Sequence, residues 1–145
     1  MNIICMKWGK KFSPEYVNRL YAMVSRNTVT KFRFVCFTEN SKGIRPEVEI
    51  QDLPELELPS GSPERGWRKL TAFKENFGSL SGTTLFLDLD VVIVGKLDAF
   101  FSHPGDFLIA HDKKSPKKRE GNSSVFRFEI GKYSHILNYF EKNSE

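Results

Sequence analysis

Apolar positions along the chain alternate between short solid runs and helical stripes. Asn2-Ile3-Ile4-Cys5-Met6 reads as a short buried strand, followed by a loop over residues 7–11. Ser13-Pro14-Glu15 is a helix start, with Ser available to cap and Pro suited to the first helical position. Val17, Leu20, Tyr21 and Val24 then recur at i, i+3, i+4 and i+7, so the pattern predicts a helix ending near Asn27. Residues 32–38 form the second strand. Strand, helix, strand in this order implies a right-handed parallel unit.

Residues 41–63 are rich in Pro, Gly and Glu and read as a long connection, with Val48-Glu49-Ile50 as a short edge strand. A second helix is expected from Gly66. Trp67, Leu70, Phe73 and Phe77 would form its buried face and Gly78 its stop, which makes Trp67 a core residue. Residues 84–95 are an apolar run interrupted by Asp88 and Asp90. A short helix over 96–101, a strand over 107–110 leading into His111, a strand over 125–128 and an amphipathic helix carrying Tyr133, Ile136, Leu137 and Phe140 complete the pattern. The expected fold is one α/β domain over residues 1–145, a mixed and mostly parallel sheet flanked by helices.

The run at 84–95 carries the chemistry. Two like charges inside an apolar stretch are costly unless a cation sits between them or one takes up a proton. In an extended segment, residues two apart share a face, so Asp88 and Asp90 can aim at one point while Leu89 faces the core. Such a D-x-D pair suits a hard divalent cation shared with substrate phosphates. The bland alternative is an acidic turn between strands.

Composition adds little that is decisive. The 145 residues suffice for one core, apolar residues make up 39% and charged ones 28%, and 13 Phe point to an aromatic interior. A net charge of +4 fits a phosphate-bearing ligand, an anionic surface or a nucleic acid alike. Cys5 and Cys36 sit in strand-like runs and read as reduced, buried thiols. The N-terminus lacks the apolar stretch of a signal peptide, and no apolar run is long enough to span a bilayer. The expected location is the cytoplasm, free or peripheral to the inner membrane.

Loops at the carboxyl ends of strands are where open α/β sheets bind ligands. Lys7, Trp8 and Thr38 therefore either line a site for a base or phosphate or belong to solvated turns. Arg68 and Lys69 near a helix start are either anion contacts or ordinary surface charge. The basic run over 113–119 is an anion-attracting loop or a solvated segment, His111 a metal ligand or a structural residue, and Asn122-Ser123-Ser124 a sugar-binding or a turn-forming stretch.

Taken together, these segments resemble the GT-A nucleotide-sugar glycosyltransferases, in particular a bacterial group related to the glycogenin-like transferases. The resemblance rests on Ile4-Cys5-Met6-Lys7-Trp8-Gly9 with residues 16–21, on Phe34-Val35-Cys36-Phe37-Thr38, on Trp67-Arg68-Lys69-Leu70 with Phe73, on Leu85-Phe86-Leu87-Asp88-Leu89-Asp90 with residues 91–101, and on Asn122-Ser123-Ser124-Val125. It implies a GT-A, Rossmann-like fold and transfer of a sugar from a UDP- or GDP-sugar, with Asp88, Asp90 and Lys69 as the catalytic residues. Asp88 and Asp90 would hold Mn²⁺ or Mg²⁺ against the diphosphate. Met6, Lys7, Trp8, Thr38, Lys69 and Asp88 would contact the nucleotide, and Asp112, Asn122 and Ser123 the sugar. Ser124 stands where the glycogenin-like pattern has Gly. The acceptor is open, a cell-surface glycan being one candidate, and no nucleic-acid partner is implied.

The family normally runs well beyond this length, and its distal segments supply acceptor contacts and a further metal ligand, frequently His. The chain is therefore expected to be the donor-binding portion, lacking the acceptor-binding part. A non-catalytic nucleotide-binding fragment or subunit is the main alternative. A haloacid-dehalogenase-like phosphatase, with Asp88 as nucleophile and Asp90 as acid/base, also reads from the D-x-D strand. It needs a later Lys and an acidic pair that Asp98, Asp106 and Asp112 do not form. A nucleotidyltransferase would want a Gly-rich phosphate loop after the first strand.

Overall fold

The computed structural model describes residues 1–58, 66–114 and 120–143. Strand β1 spans Asn2–Lys7, helix α1 Pro14–Asn27, β2 Arg33–Thr38 and β3 Glu49–Asp52. A 3-10 helix covers Trp67–Phe73, followed by β4 Thr83–Leu87, α2 Asp98–Ser102, β5 Leu108–His111, β6 Gly121–Glu129 and α3 Ser134–Lys142. Among the described residues, six strands form one sheet in the order β3-β2-β1-β4-β6-β5. The pairs β3·β2, β2·β1 and β1·β4 are parallel, whereas β4·β6 and β6·β5 are antiparallel.

In the parallel half β1, β2 and β4 are buried on both faces, which explains the solid apolar runs of β1 and β2, while the edge strand β3 is partly exposed. On one face, Ile3, Cys5, Phe34, Cys36, Leu85 and Leu87 pack with Val17, Leu20 and Val24 of α1. The alternating positions Ile4, Met6, Val35, Phe37 and Phe86 pack on the opposite face with Phe126, Phe128, Phe73, Phe77 and Leu137. Phe126 is the centre of that aromatic layer, its ring 4.8 Å from Phe86 and 5.6 Å from Phe73. Cys5 and Cys36 are register partners, both free and buried, and burial above all pushes the Cys5 thiol up.

Several expectations are revised. Ser13 stands at the N-cap of α1 without a side-chain cap; Pro14 holds the first position, and Ser13 acts through its carbonyl, which accepts the Tyr16 amide. The helix expected from Gly66 is a 3-10 helix. Trp67, Leu70 and Phe73 are three apart, the period at which side chains eclipse in that geometry. Trp67 is 39% exposed rather than core and stacks on Phe140, centroids 5.0 Å apart. β4 stops at Leu87, and Val92 and Val94 are 76% and 94% exposed, so the apolar run beyond Asp90 is not a buried strand. β6 begins at Gly121, which places Asn122-Ser123-Ser124 on a strand rather than in a turn. Residues 59–65 of the long connection and 115–119 of the basic run lie outside the described residues.

Candidate functional site

From β1 the chain moves to β2 and β3 on one side and later returns to β4 on the other. The gap beyond the carboxyl ends of β1 and β4 is therefore a topological switch point, where such sheets bind ligands. A cleft of about 450 Å³ opens there. Its lining combines Met6, Trp8, Gly9, Lys10, Lys11 and Phe12 after β1 with Asp88, Leu89 and Asp90 after β4, and with Gly66 and Lys69. Three ammonium groups and two carboxylates thus face one space, a balance suited to an anionic ligand that brings a cation with it.

Each wall has a local cause. Glu39, after β2, accepts the Gly9 amide at 2.8 Å and fixes the loop that carries Trp8 to Lys11. Gly66 has φ +78°, a left-handed conformation that lets the chain turn tightly into the 3-10 helix. The Asp88 amide donates to the Ser124 carbonyl at 2.9 Å, extending the β4·β6 ladder by one bond just as the acidic segment begins. Leu89 is buried, Asp88 half-buried and Asp90 exposed, so the segment turns its apolar residue inward between the two carboxylates.

Lys69 is the closest partner of Asp88. Its Nζ lies 2.7 Å from both carboxylate oxygens, and each side chain is 20% exposed. The ammonium also lies 5.7 Å from the centroid of the Phe86 ring and 3.5 Å from both the carbonyl and the hydroxyl of Ser123. Ser123 lines an adjoining, mainly apolar hollow of about 330 Å³ with Trp67, Phe73 and Phe107; Gly66 and Lys69 border both spaces.

The structure thus brings Met6, Trp8, Lys69, Asp88 and Asp90 to one cleft, with Ser123 at its margin. The other sequence candidates sit outside its lining. Lys7 and Thr38 are register partners and both are buried. Thr38 Oγ1 closes the turn that follows β2, 3.2 Å from the Asn40 amide and carbonyl. Asp112 Oδ1 accepts the Lys114 amide and Asn122 Oδ1 the Ser124 amide, each at 2.9 Å. His111 is exposed at the end of β5. Conversely, Lys10, Lys11 and Phe12 were not singled out by sequence; a basic pair just past a strand's carboxyl end is the signal that could have found them.

Asp88 and Asp90 fit a hard divalent cation: two carboxylates of one segment face the same cleft, and phosphate oxygens or water can take the remaining positions on such an ion. Among the described residues, no cluster of three or more His, Cys, Asp or Glu side chains comes together.

No protein-family model matches the sequence, and no curated protein matches it. Solved structures do match its fold. The galactosyltransferase LgtC, crystallised in complex with donor and acceptor sugar analogs, superposes with a TM-score of 0.68 at 15% identity over 98% of this chain. An active-site mutant of LgtC gives 0.69 at 14% identity over the whole chain. The apo-form glycosyltransferase GlyE of Streptococcus pneumoniae TIGR4 gives 0.64 at 13% over 99%. The chain spans 64% and 65% of the two LgtC chains and 39% of GlyE. Its fold is the GT-A glycosyltransferase fold, a six-stranded mixed sheet with flanking helices. Identities this low establish the fold and leave the particular glycogenin-like group unassigned. Among the described residues, no helix is long and apolar enough to cross a membrane.

Proposed function

We propose that this chain binds a nucleotide-diphosphate sugar and takes part in transferring the sugar to an acceptor hydroxyl. The observation that carries the reading is the cleft at the β1/β4 switch point, where Lys69 and the D-x-D carboxylates face Lys10, Lys11 and Trp8. Met6 and Trp8 supply the apolar and aromatic wall for the nucleoside. Lys10, Lys11 and Lys69 would offer cationic donors to the diphosphate, and Ser123, beside the Lys69 ammonium, would be a hydrogen-bonding group for the sugar. Lys7 and Thr38 act from behind, their paired backbones fixing the loops that carry Trp8 and Glu39.

Asp88 and Asp90 would hold Mn²⁺ or Mg²⁺, which when bound acts as a Lewis acid on the diphosphate. In the transfer, the bond from the anomeric carbon to the diphosphate oxygen breaks and its electron pair stays on the diphosphate. The acceptor oxygen forms the new bond and gives its proton to the departing diphosphate. The protein's part is to place cationic donors where that charge grows. The GT-A sheet favours this reading over the phosphatase suggested by the same Asp-x-Asp strand.

Calorimetric titration with UDP and GDP, each with Mn²⁺ and with EDTA, tests the proposal. One nucleotide should bind in a metal-dependent manner, and the matching nucleotide sugars should then be consumed slowly with water as acceptor. A folded sample that binds neither nucleotide under either condition would overturn the donor site.

A further inference from the structure

The contact between Lys69 and Asp88 has a consequence for how the cleft fills, resting on its reading as a nucleotide-diphosphate site. The Lys69 ammonium lies 2.7 Å from both oxygens of Asp88. A carboxylate held in this way has both oxygens engaged, so a divalent ion, which needs its ligands at roughly 2.0–2.6 Å, must share or take an oxygen from the ammonium. An ammonium and a divalent cation against one carboxylate would also repel each other. The two cations therefore compete for Asp88, and the pair is sheltered enough, at 20% side-chain exposure for each partner, to resist dissolution by solvent.

Lys69 also has somewhere to go. Its stem passes the bare backbone of Gly66, where even an added Cβ would lie 3.8 Å from Cε. Its Nζ is 3.5 Å from the Ser123 hydroxyl and carbonyl, too long for strong bonds and near enough to receive the ammonium after a small rotation. Lys10 and Lys11 across the cleft would draw a diphosphate into the space that Lys69 faces.

We propose that Lys69 is a displaceable plug on the D-x-D motif: it neutralises Asp88 in the empty protein and passes to the diphosphate when the nucleotide enters. Divalent cation and nucleotide then bind weakly apart and tightly together. Each relieves a cost that the other would otherwise meet, and the coupling must be reciprocal.

The test is Mn²⁺ binding to the whole chain, followed by electron paramagnetic resonance without nucleotide, together with calorimetry of UDP and GDP with and without Mn²⁺. Lys69→Met should bind Mn²⁺ alone roughly tenfold more tightly than the parent, the effect of one charge-assisted contact removed, and should lose the part of the metal–nucleotide coupling that exceeds direct metal–diphosphate contact. Lys69→Arg, whose guanidinium holds a carboxylate with two parallel bonds, should bind Mn²⁺ alone no better than the parent and keeps the test open should Lys69→Met fail to fold. Lys11→Met removes the same charge from the cleft, but from an ammonium that lies against the Phe12 ring, 4.9 Å from its centroid, and should leave Mn²⁺ affinity within about twofold of the parent.

Equal Mn²⁺ affinity for the parent and Lys69→Met, or an equal rise in Lys11→Met, would overturn the plug. So would Lys69→Arg binding Mn²⁺ more tightly than the parent. If the parent still bound one nucleotide in a metal-dependent manner, the donor site would stand and only the plug would fall. Absence of any Mn²⁺ or nucleotide binding in folded parent protein would overturn both.

Discussion

Asp88 and Asp90 are two residues apart and answer to different constraints. Asp88 is half-buried, its amide tied to Ser124 and its carboxylate to Lys69. Asp90 is exposed at the cleft. Asp90→Asn should therefore leave stability within about 0.5 kcal/mol of the parent. Asp88→Asn strands a half-buried ammonium and should cost about 1–3 kcal/mol. Both should remove the gain in nucleotide affinity that Mn²⁺ brings, so urea denaturation separates the variants while calorimetry unites them. Unchanged Mn²⁺-dependent affinity in Asp90→Asn would refute the proposed metal site. This pair was legible in the sequence because charge inside an apolar run demands a reason. Thr38 was not, since a hydroxyl at a strand end serves a ligand or its own turn equally well, and only its bonds to Asn40 show the turn. Lys10 and Lys11 were hidden for a related reason: a loop lysine finds its place from the loop's path, here fixed by Glu39 and Gly9.

Among the elements, strands and helices with continuous apolar faces were readable, and those held by backbone bonds or polar caps were not. β1, β2 and α1 bury most of what their patterns said they would, whereas α3 buries only Leu137 and leaves Ile136 and Phe140 half-buried. The first half of β6 is exposed and polar, and its strand character comes from pairing with β5 and from the Ser124 carbonyl that receives Asp88. The linkage between α2 and the turn after α1 was equally invisible. Asp98 accepts the Val29 and Thr30 amides at 3.0 and 2.9 Å across 69 and 68 residues of sequence. Hydrogen bonding from Thr30, and then from the Val29 amide, lowers the Asp98 carboxyl from its ordinary 3.8 to about 2. A carboxyl depressed on folding stabilises the protein fully above its unfolded value and ceases to do so as pH falls through the folded one. The melting temperature of the parent should therefore exceed that of Asp98→Ala by a constant margin above pH about 4, and the margin should close as pH falls toward about 2. A margin independent of pH across that window would show that the carboxylate's charge is not what holds the turn.

On the scale of the molecule, one sheet separates two cores, and both reach the cleft, one through Met6 and Trp8 and the other through Leu89 and Phe12. On the face that carries Phe126, the Phe86 ring stacks 4.8 Å above Phe126 and in turn lies 5.7 Å beneath the Lys69 ammonium. On the other face, Leu20 is fully buried against the sheet from α1, away from the cleft lining. Truncation on either face leaves a cavity in a close-packed layer, at a cost of about 3–5 kcal/mol for Phe126→Ala and about 2–5 kcal/mol for Leu20→Ala. A single sheet shared by both cores should unfold in one transition, so far-ultraviolet circular dichroism and tryptophan fluorescence should coincide in the parent and in both variants. Function should distinguish the two. Phe126→Ala removes the support under Phe86 and should weaken nucleotide binding in the folded fraction several-fold, because Lys69 loses its fixed bed. Leu20→Ala, at a comparable loss of stability, should bind nucleotide as the parent does. Equal weakening by both variants would mean that binding follows overall stability alone, and that the aromatic stack beneath Lys69 has no particular part in shaping the cleft.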